Sequence, residues 1–87
     1  MTRRFSLLVT DTPDVLVRVC GLLLRRRATV AALSYGPARQ AGWARLDLEV
    51  CVDERHGRGL RERLDALVDV RDVAELRPSA PPAAALH

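Results

Sequence analysis

Apolar residues recur along this chain with two distinct periods, and their order lays out an architecture. Residues 3–10, RRFSLLVT, are β-prone, short and closed by polar residues, which predicts a first strand. Thr12-Pro13 then reads as a helix N-cap followed by proline at the first helical position. From there Leu16, Val19, Cys20 and Leu23 recur at helical spacing, and Val15 and Leu22 widen the stripe. Arg25, Arg26 and Arg27 close this predicted helix, where three cations suit the negative end of the helix dipole. Residues 29–36, TVAALSYG, predict a second strand, and GPARQAG, 36–42, a turn-rich connector of hairpin length. Residues 43–52, WARLDLEVCV, alternate cleanly. Ala44, Leu46, Leu48, Val50 and Val52 share one face, and Trp43, Arg45, Asp47, Glu49 and Cys51 the other, the mark of a half-buried strand. Leu60, Leu64 and Leu67 give a second helix over 54–67, weakened in its first turn by Gly57 and Gly59. VDVRDVAEL, 68–76, predicts a last strand.

The order is therefore βαββαβ. It predicts an α+β, ferredoxin-like sandwich: a four-stranded antiparallel sheet with two helices on one face. Leu16, Val19, Leu23, Leu46, Leu48, Leu64 and Leu67 are the expected core between helices and sheet. One domain over 1–77 is expected, followed by a disordered Pro/Ala-rich tail over 78–87.

Composition narrows the functional classes. At 87 residues a single domain buries only about 60–65% of its unfolded surface, so dimerisation or docking on a partner would add needed stability. Net charge is +3, and all 14 basic residues are arginine, interspersed with 11 carboxylates rather than gathered in a basic tail. A nucleic-acid footprint is normally more one-sided. Cys20 and Cys51 form no CxxC pair, and His56 and His87 supply no zinc spacing, so buried free thiols are expected. No apolar run approaches the roughly 20 residues of a membrane span. A soluble cytoplasmic protein that binds neither membrane nor nucleic acid is the expectation.

Catalysis has little material. Ser6 and Ser34 fall within strands, and no nucleophile elbow or glycine-rich phosphate loop is present. Asp47/Glu49 and Asp69/Asp72 are paired carboxylates, but those on the open strand face alternate with Arg45, as on a solvated surface. The stretch TDTPDVLVRV, 10–19, is the candidate site, because helix starts present outward N–H groups to anions. Here the chain places its own carboxylates, Asp11 and Asp14, at that position.

The whole pattern resembles the ACT-domain regulatory (small) subunits of acetolactate synthase, over roughly residues 3–76. The strand running into the helix carries the resemblance, as do LVRVCGLLLRRRATVAALSYGP and the closing LDALVDVRDVAEL. Pro13-Asp14-x-Leu16-x-Arg18-Val19 is similar to the helix start of the short, valine-insensitive enterobacterial type. The resemblance implies a non-catalytic partner of a large catalytic subunit, which would carry thiamine diphosphate, magnesium and FAD, the chain itself holding no cofactor or metal. It implies a homodimer, with Leu7, Val9, Leu33 and Tyr35 as interface positions near a sheet edge. It also implies an effector loop of Asp11, Thr12, Pro13, Asp14, Val15, Leu16 and Thr29. In the longer, valine-inhibited subunits of the family, the resemblance implies Asn and Gly where Asp11 and Asp14 are here, a further Asn at Thr29 and a Gly at Arg27. Those departures imply a former effector site, largely closed to valine.

Two other readings compete. The RNA-recognition motif shares βαββαβ topology, and Gly42-Trp43-Ala44 echoes its third-strand motif. Yet Asp47 and Glu49 on the same face would repel phosphate. A free-standing ACT module that senses another amino acid, or regulates another enzyme, is the other alternative.

Overall fold

The computed structural model describes residues 2–77. The predicted tail, 78–87, lies outside the described residues. Four strands and three helices follow the expected order: β1 (Thr2–Thr10), α1 (Pro13–Arg25), β2 (Thr29–Pro37), β3 (Trp43–Cys51), α2 (Glu54–Gly57), α3 (Leu60–Asp65) and β4 (Val70–Leu76). The strands form one sheet in the order β2-β3-β1-β4, with every neighbouring pair antiparallel. This is the ferredoxin-like arrangement, with the helices on one face of the sheet.

The alternation in β3 sets the core. Ala44, Leu46, Leu48 and Val50 are fully buried and sit opposite Val9, Leu7, Phe5 and Arg3 of β1. Val15, Val19, Leu22 and Leu23 of α1, with Leu60 and Leu64 of α3, close over them. The α1 stripe is rotated from the expected one. Leu16 and Cys20 are only half-buried, because the helix turns Val15, Val19 and Leu22 straight down onto the sheet. Leu67 likewise packs at the margin of the core. The cysteines depart from expectation too: Cys20 is half-buried and Cys51 exposed at the end of β3.

The second helix is split. Gly59 adopts a left-handed φ of 76°, which interrupts the helix between α2 and α3. Gly57 is buried where a Cβ would stand 3.0 Å from Val52 Cγ1, so the chain passes close to the sheet there. Asp53 caps α2 by accepting from the His56 N–H at 2.7 Å, and this bond holds the Asp53 carboxyl below its usual range. Arg3 fastens α2 to the sheet, donating to the Gly57 carbonyl and gripping Glu75 of β4 with two nitrogens at 2.7 and 2.8 Å.

The end of α1 is a Schellman turn built on an arginine. The Ala28 N–H reaches the Leu23 carbonyl at 2.9 Å and the Arg27 N–H the Leu24 carbonyl at 3.1 Å. Arg27 therefore takes a left-handed φ of 57°, a position that favours glycine.

Candidate functional site

The predicted loop is a taut crossing between β1 and α1. The Asp11 N–H donates to the Gly42 carbonyl at 3.0 Å, and the Thr12 N–H to the Thr10 carbonyl at 2.9 Å. Thr12 occupies the N-cap with extended backbone and Pro13 begins the helix, but the Thr12 hydroxyl makes no capping bond. The side chain of Asp11 turns away from the helix: its Oδ1 accepts the Tyr35 hydroxyl at 2.6 Å. That bond, first, and then desolvation and the nearby charge hold the Tyr35 phenol above its usual range.

On its other side the helix start is tied to Asp69, which precedes β4. The Thr10 N–H donates to the Asp69 carbonyl at 2.9 Å, and the Thr10 hydroxyl to Asp69 Oδ1 at 3.3 Å. Arg18, one turn into α1, forms an ion pair with the same carboxylate. Sequence reasoning missed both Tyr35 and Asp69 as supports of this loop. Neither lies near it in the chain, and no local pattern signals such pairings.

The loop offers an anion few donors. Pro13 has no N–H, and the Val15 N–H goes to the Thr12 carbonyl at 3.3 Å. Asp14 is exposed in the first turn, so its own negative charge occupies the favourable end of the helix dipole. Val15 is fully buried and Leu16 half-buried, so both serve the core.

Thr29 is not brought to this loop within one chain. It begins β2 opposite Cys51, which is itself opposite Thr2, whereas Asp11 follows Thr10 at the other end of the sheet. The nine residues of β2 separate the two ends by about 25 Å.

The expected interface positions also divide. β1 is central in the sheet, and Leu7 and Val9 are fully buried in the core, so they cannot line an edge. Leu33 and Tyr35 do lie on the edge strand β2, where every residue is exposed or half-buried. Val30 and Leu33, on the helix side of that strand, are 39% and 42% exposed because no helix covers them. TVAALSYGP contains no charged residue, so nothing in it guards an open edge against pairing until Pro37. The opposite edge, β4, carries Arg71, Asp72 and Glu75.

The open face of the sheet is polar. Arg4, Ser34 and Asp47 surround a shallow depression of about 290 Å³, and Arg45 donates to the Ser6 hydroxyl at 2.8 Å. The Arg71 guanidinium covers the Trp43 ring at 5.2 Å, occupying the one aromatic surface an RNA base would need. Among the described residues no helix is long and apolar enough to cross a membrane.

Comparison with known proteins agrees with this geometry. A family model described as the ACT domain matches residues 11–73. A probable acetolactate synthase small subunit from Methanothermobacter thermautotrophicus is 34% identical over 79 residues, covering 91% of this chain and 47% of its own. The acetolactate synthase small subunit of Mycolicibacterium smegmatis is 31% identical over 74 residues, covering 85% of this chain and 44% of its own. Among solved structures, the acetolactate synthase small subunit from Thermotoga maritima superposes with a TM-score of 0.77 at 26% identity, covering 90% of this chain and 48% of that one. The chain thus spans about half the length of the curated relatives it matches. Fold, strand order and sequence together place the chain in the ACT-domain family.

Proposed function

We propose that this chain is a non-catalytic regulatory subunit that activates an acetolactate synthase, in branched-chain amino acid biosynthesis in the cytoplasm. The observation that carries this reading is the 34% identity, across 91% of the chain, to a probable acetolactate synthase small subunit. The catalytic subunit would hold thiamine diphosphate, magnesium and FAD, and would condense pyruvate with a second 2-ketoacid. The small subunit raises its rate by binding the competent conformation more tightly than the idle one, since only differential affinity shifts such an equilibrium. Mixing the two purified subunits and following acetolactate formation tests the reading.

A second copy of the chain completes the unit. Two uncharged β2 edges pair antiparallel, continuing the sheet from one copy into the next and covering Val30 and Leu33. Such a pairing sets Thr29 of the second copy beside Pro37 of the first, at the end where Tyr35 meets Asp11. Residues that one chain keeps about 25 Å apart then face each other. A monomeric mass by light scattering at tens of micromolar would contradict this assembly.

The composite site is closed to valine. Asp11 spends its carboxylate on Tyr35, and Asp14 stands where the valine carboxylate would seek helix N–H groups. Like charges about 4 Å apart repel by roughly 1 kcal/mol in water-like surroundings. Calorimetry with millimolar valine is expected to give no heat of binding. Micromolar affinity would refute the closed site.

A further inference from the structure

One surface of the helical layer is shaped for a partner and is left open by the proposed dimer. A groove of about 520 Å³ runs between α1 and α3, with Leu22 and Leu67 among its apolar lining and two arginines, Arg25 and Arg63, against one carboxylate, Glu62, as its charged lining. Both ends are pinned. The Arg18–Asp69 ion pair ties α1 to the start of β4 at one end. At the other, Arg26 Nη2 donates to the Arg58 carbonyl at 2.8 Å, tying α1 to the linker before α3. Between residues 18 and 26 the helix rises about 12 Å, roughly two turns. The groove lies on the β4 side of the molecule, because α3 packs on β4, and so stays clear of the β2 edge.

The outer surface of α1 beside this groove is apolar where a solvated helix would be polar. Val17 and Leu24 are 74% and 77% exposed. Gly21, between them on the same face, is the one glycine inside α1, and a Cβ there would meet only Arg25 Nη1 at 3.5 Å. A mid-helix glycine costs roughly 1 kcal/mol against alanine, and among the described residues only the end of the flexible Arg25 side chain lies beside the space it leaves. A second helix lying against it would. Charge selects the sign of that helix. Across residues 25–27 and 54–67 stand seven arginines (25, 26, 27, 55, 58, 61 and 63) against three carboxylates (Glu54, Glu62 and Asp65).

We propose that the α1–α3 groove, with Val17, Gly21 and Leu24, docks an amphipathic helix of the catalytic subunit whose apolar stripe is flanked by carboxylates. The apolar stripe enters between α1 and α3, Gly21 admits close backbone approach, and Arg25 and Arg63 meet the flanking acids. This inference rests on the functional reading above and names the surface through which it operates.

The test uses the full chain and its purified cognate catalytic subunit, with affinity measured by calorimetry at two salt concentrations. The double variant Arg25→Glu/Arg63→Glu should weaken binding at least about tenfold and flatten its salt dependence. Gly21→Gln should weaken binding by a similar factor while its melting temperature holds or rises, a combination that a merely structural role would not give. Arg71→Glu, whose guanidinium lies over Trp43 on the opposite, open face of the sheet, should bind as the wild type does. Wild-type affinity in both groove variants would overturn the proposal while leaving the functional reading intact. A changed oligomeric mass with unchanged subunit affinity would also overturn it, making the groove a contact between copies. A wild-type chain that neither binds nor activates the catalytic subunit would remove the functional reading, and the docking surface with it.

Discussion

The Tyr35 hydroxyl donates to Asp11 Oδ1 at 2.6 Å, joining the end of the edge strand β2 to the loop that starts α1. The two residues are 24 positions apart in the chain. Their contact means that whatever pairs with β2 also bears on the loop, so the proposed dimer contact and the proposed effector loop would share one support.

Because the chain has a single tyrosine, this contact can be read directly. Spectrophotometric titration should place the phenol above its ordinary value of 10.0, since the bonded proton is held by a carboxylate. Asp11→Asn should bring the midpoint back down toward 10.0. An unchanged midpoint would mean that the bond does not persist in solution.

The left-handed Arg27 is a built-in defect. An L-residue at such a φ costs about 1–2 kcal/mol, whereas glycine adopts it freely but loses more chain entropy on folding. Arg27→Gly should therefore stabilise the fold by about 0.5–1 kcal/mol in denaturant unfolding. A destabilised variant would show that the arginine side chain contributes more than its backbone costs.

The Arg3–Glu75 pair gives the fold a pH dependence. The bond from Arg3 holds the Glu75 carboxyl below its ordinary 4.5. A carboxyl depressed in the folded state contributes stability above its unfolded pKa and loses it as pH falls through the folded value. The Glu75 side chain is 34% exposed, so solvent screening limits the pair to about 1 kcal/mol. Glu75→Gln should be less stable than wild type at neutral pH, and the gap should close as pH drops below 4.5. A gap that persists at acid pH would assign the loss to packing instead.

Much of the fold was legible because its signals are local. The strict alternation of β3 placed Ala44, Leu46, Leu48 and Val50 on the buried face. Leu48 is 2% exposed, so Leu48→Ala should cost about 2–5 kcal/mol in unfolding free energy, while Leu24→Ala at 77% exposure should change it little. What could not be read is what depends on tertiary arrangement. The pattern within RRFSLLVT marks a strand but not its rank in the sheet, so Leu7 and Val9 were expected at an edge and lie in the centre. Leu16 and Cys20 share the apolar period of α1, and only its rotation on the sheet decides that they sit at the margin. Gly57 and Gly59 signalled a weak turn, but neither the left-handed break at Gly59 nor the close pass of Gly57 over Val52 shows in the local pattern. At the site, Asp11 and Asp14 were legible as carboxylates at a helix start, whereas the separation of Thr29 from them follows from strand order alone.

The central claim, that this chain activates an acetolactate synthase without catalysing the reaction, is tested most directly by reconstitution. Acetolactate formation from pyruvate is measured with the purified cognate catalytic subunit, supplied with thiamine diphosphate, magnesium and FAD, as this chain is added to saturation. The rate should rise and level off, the chain alone should form no acetolactate, and valine should leave the plateau unchanged. A rate that stays flat at saturating chain would contradict the account.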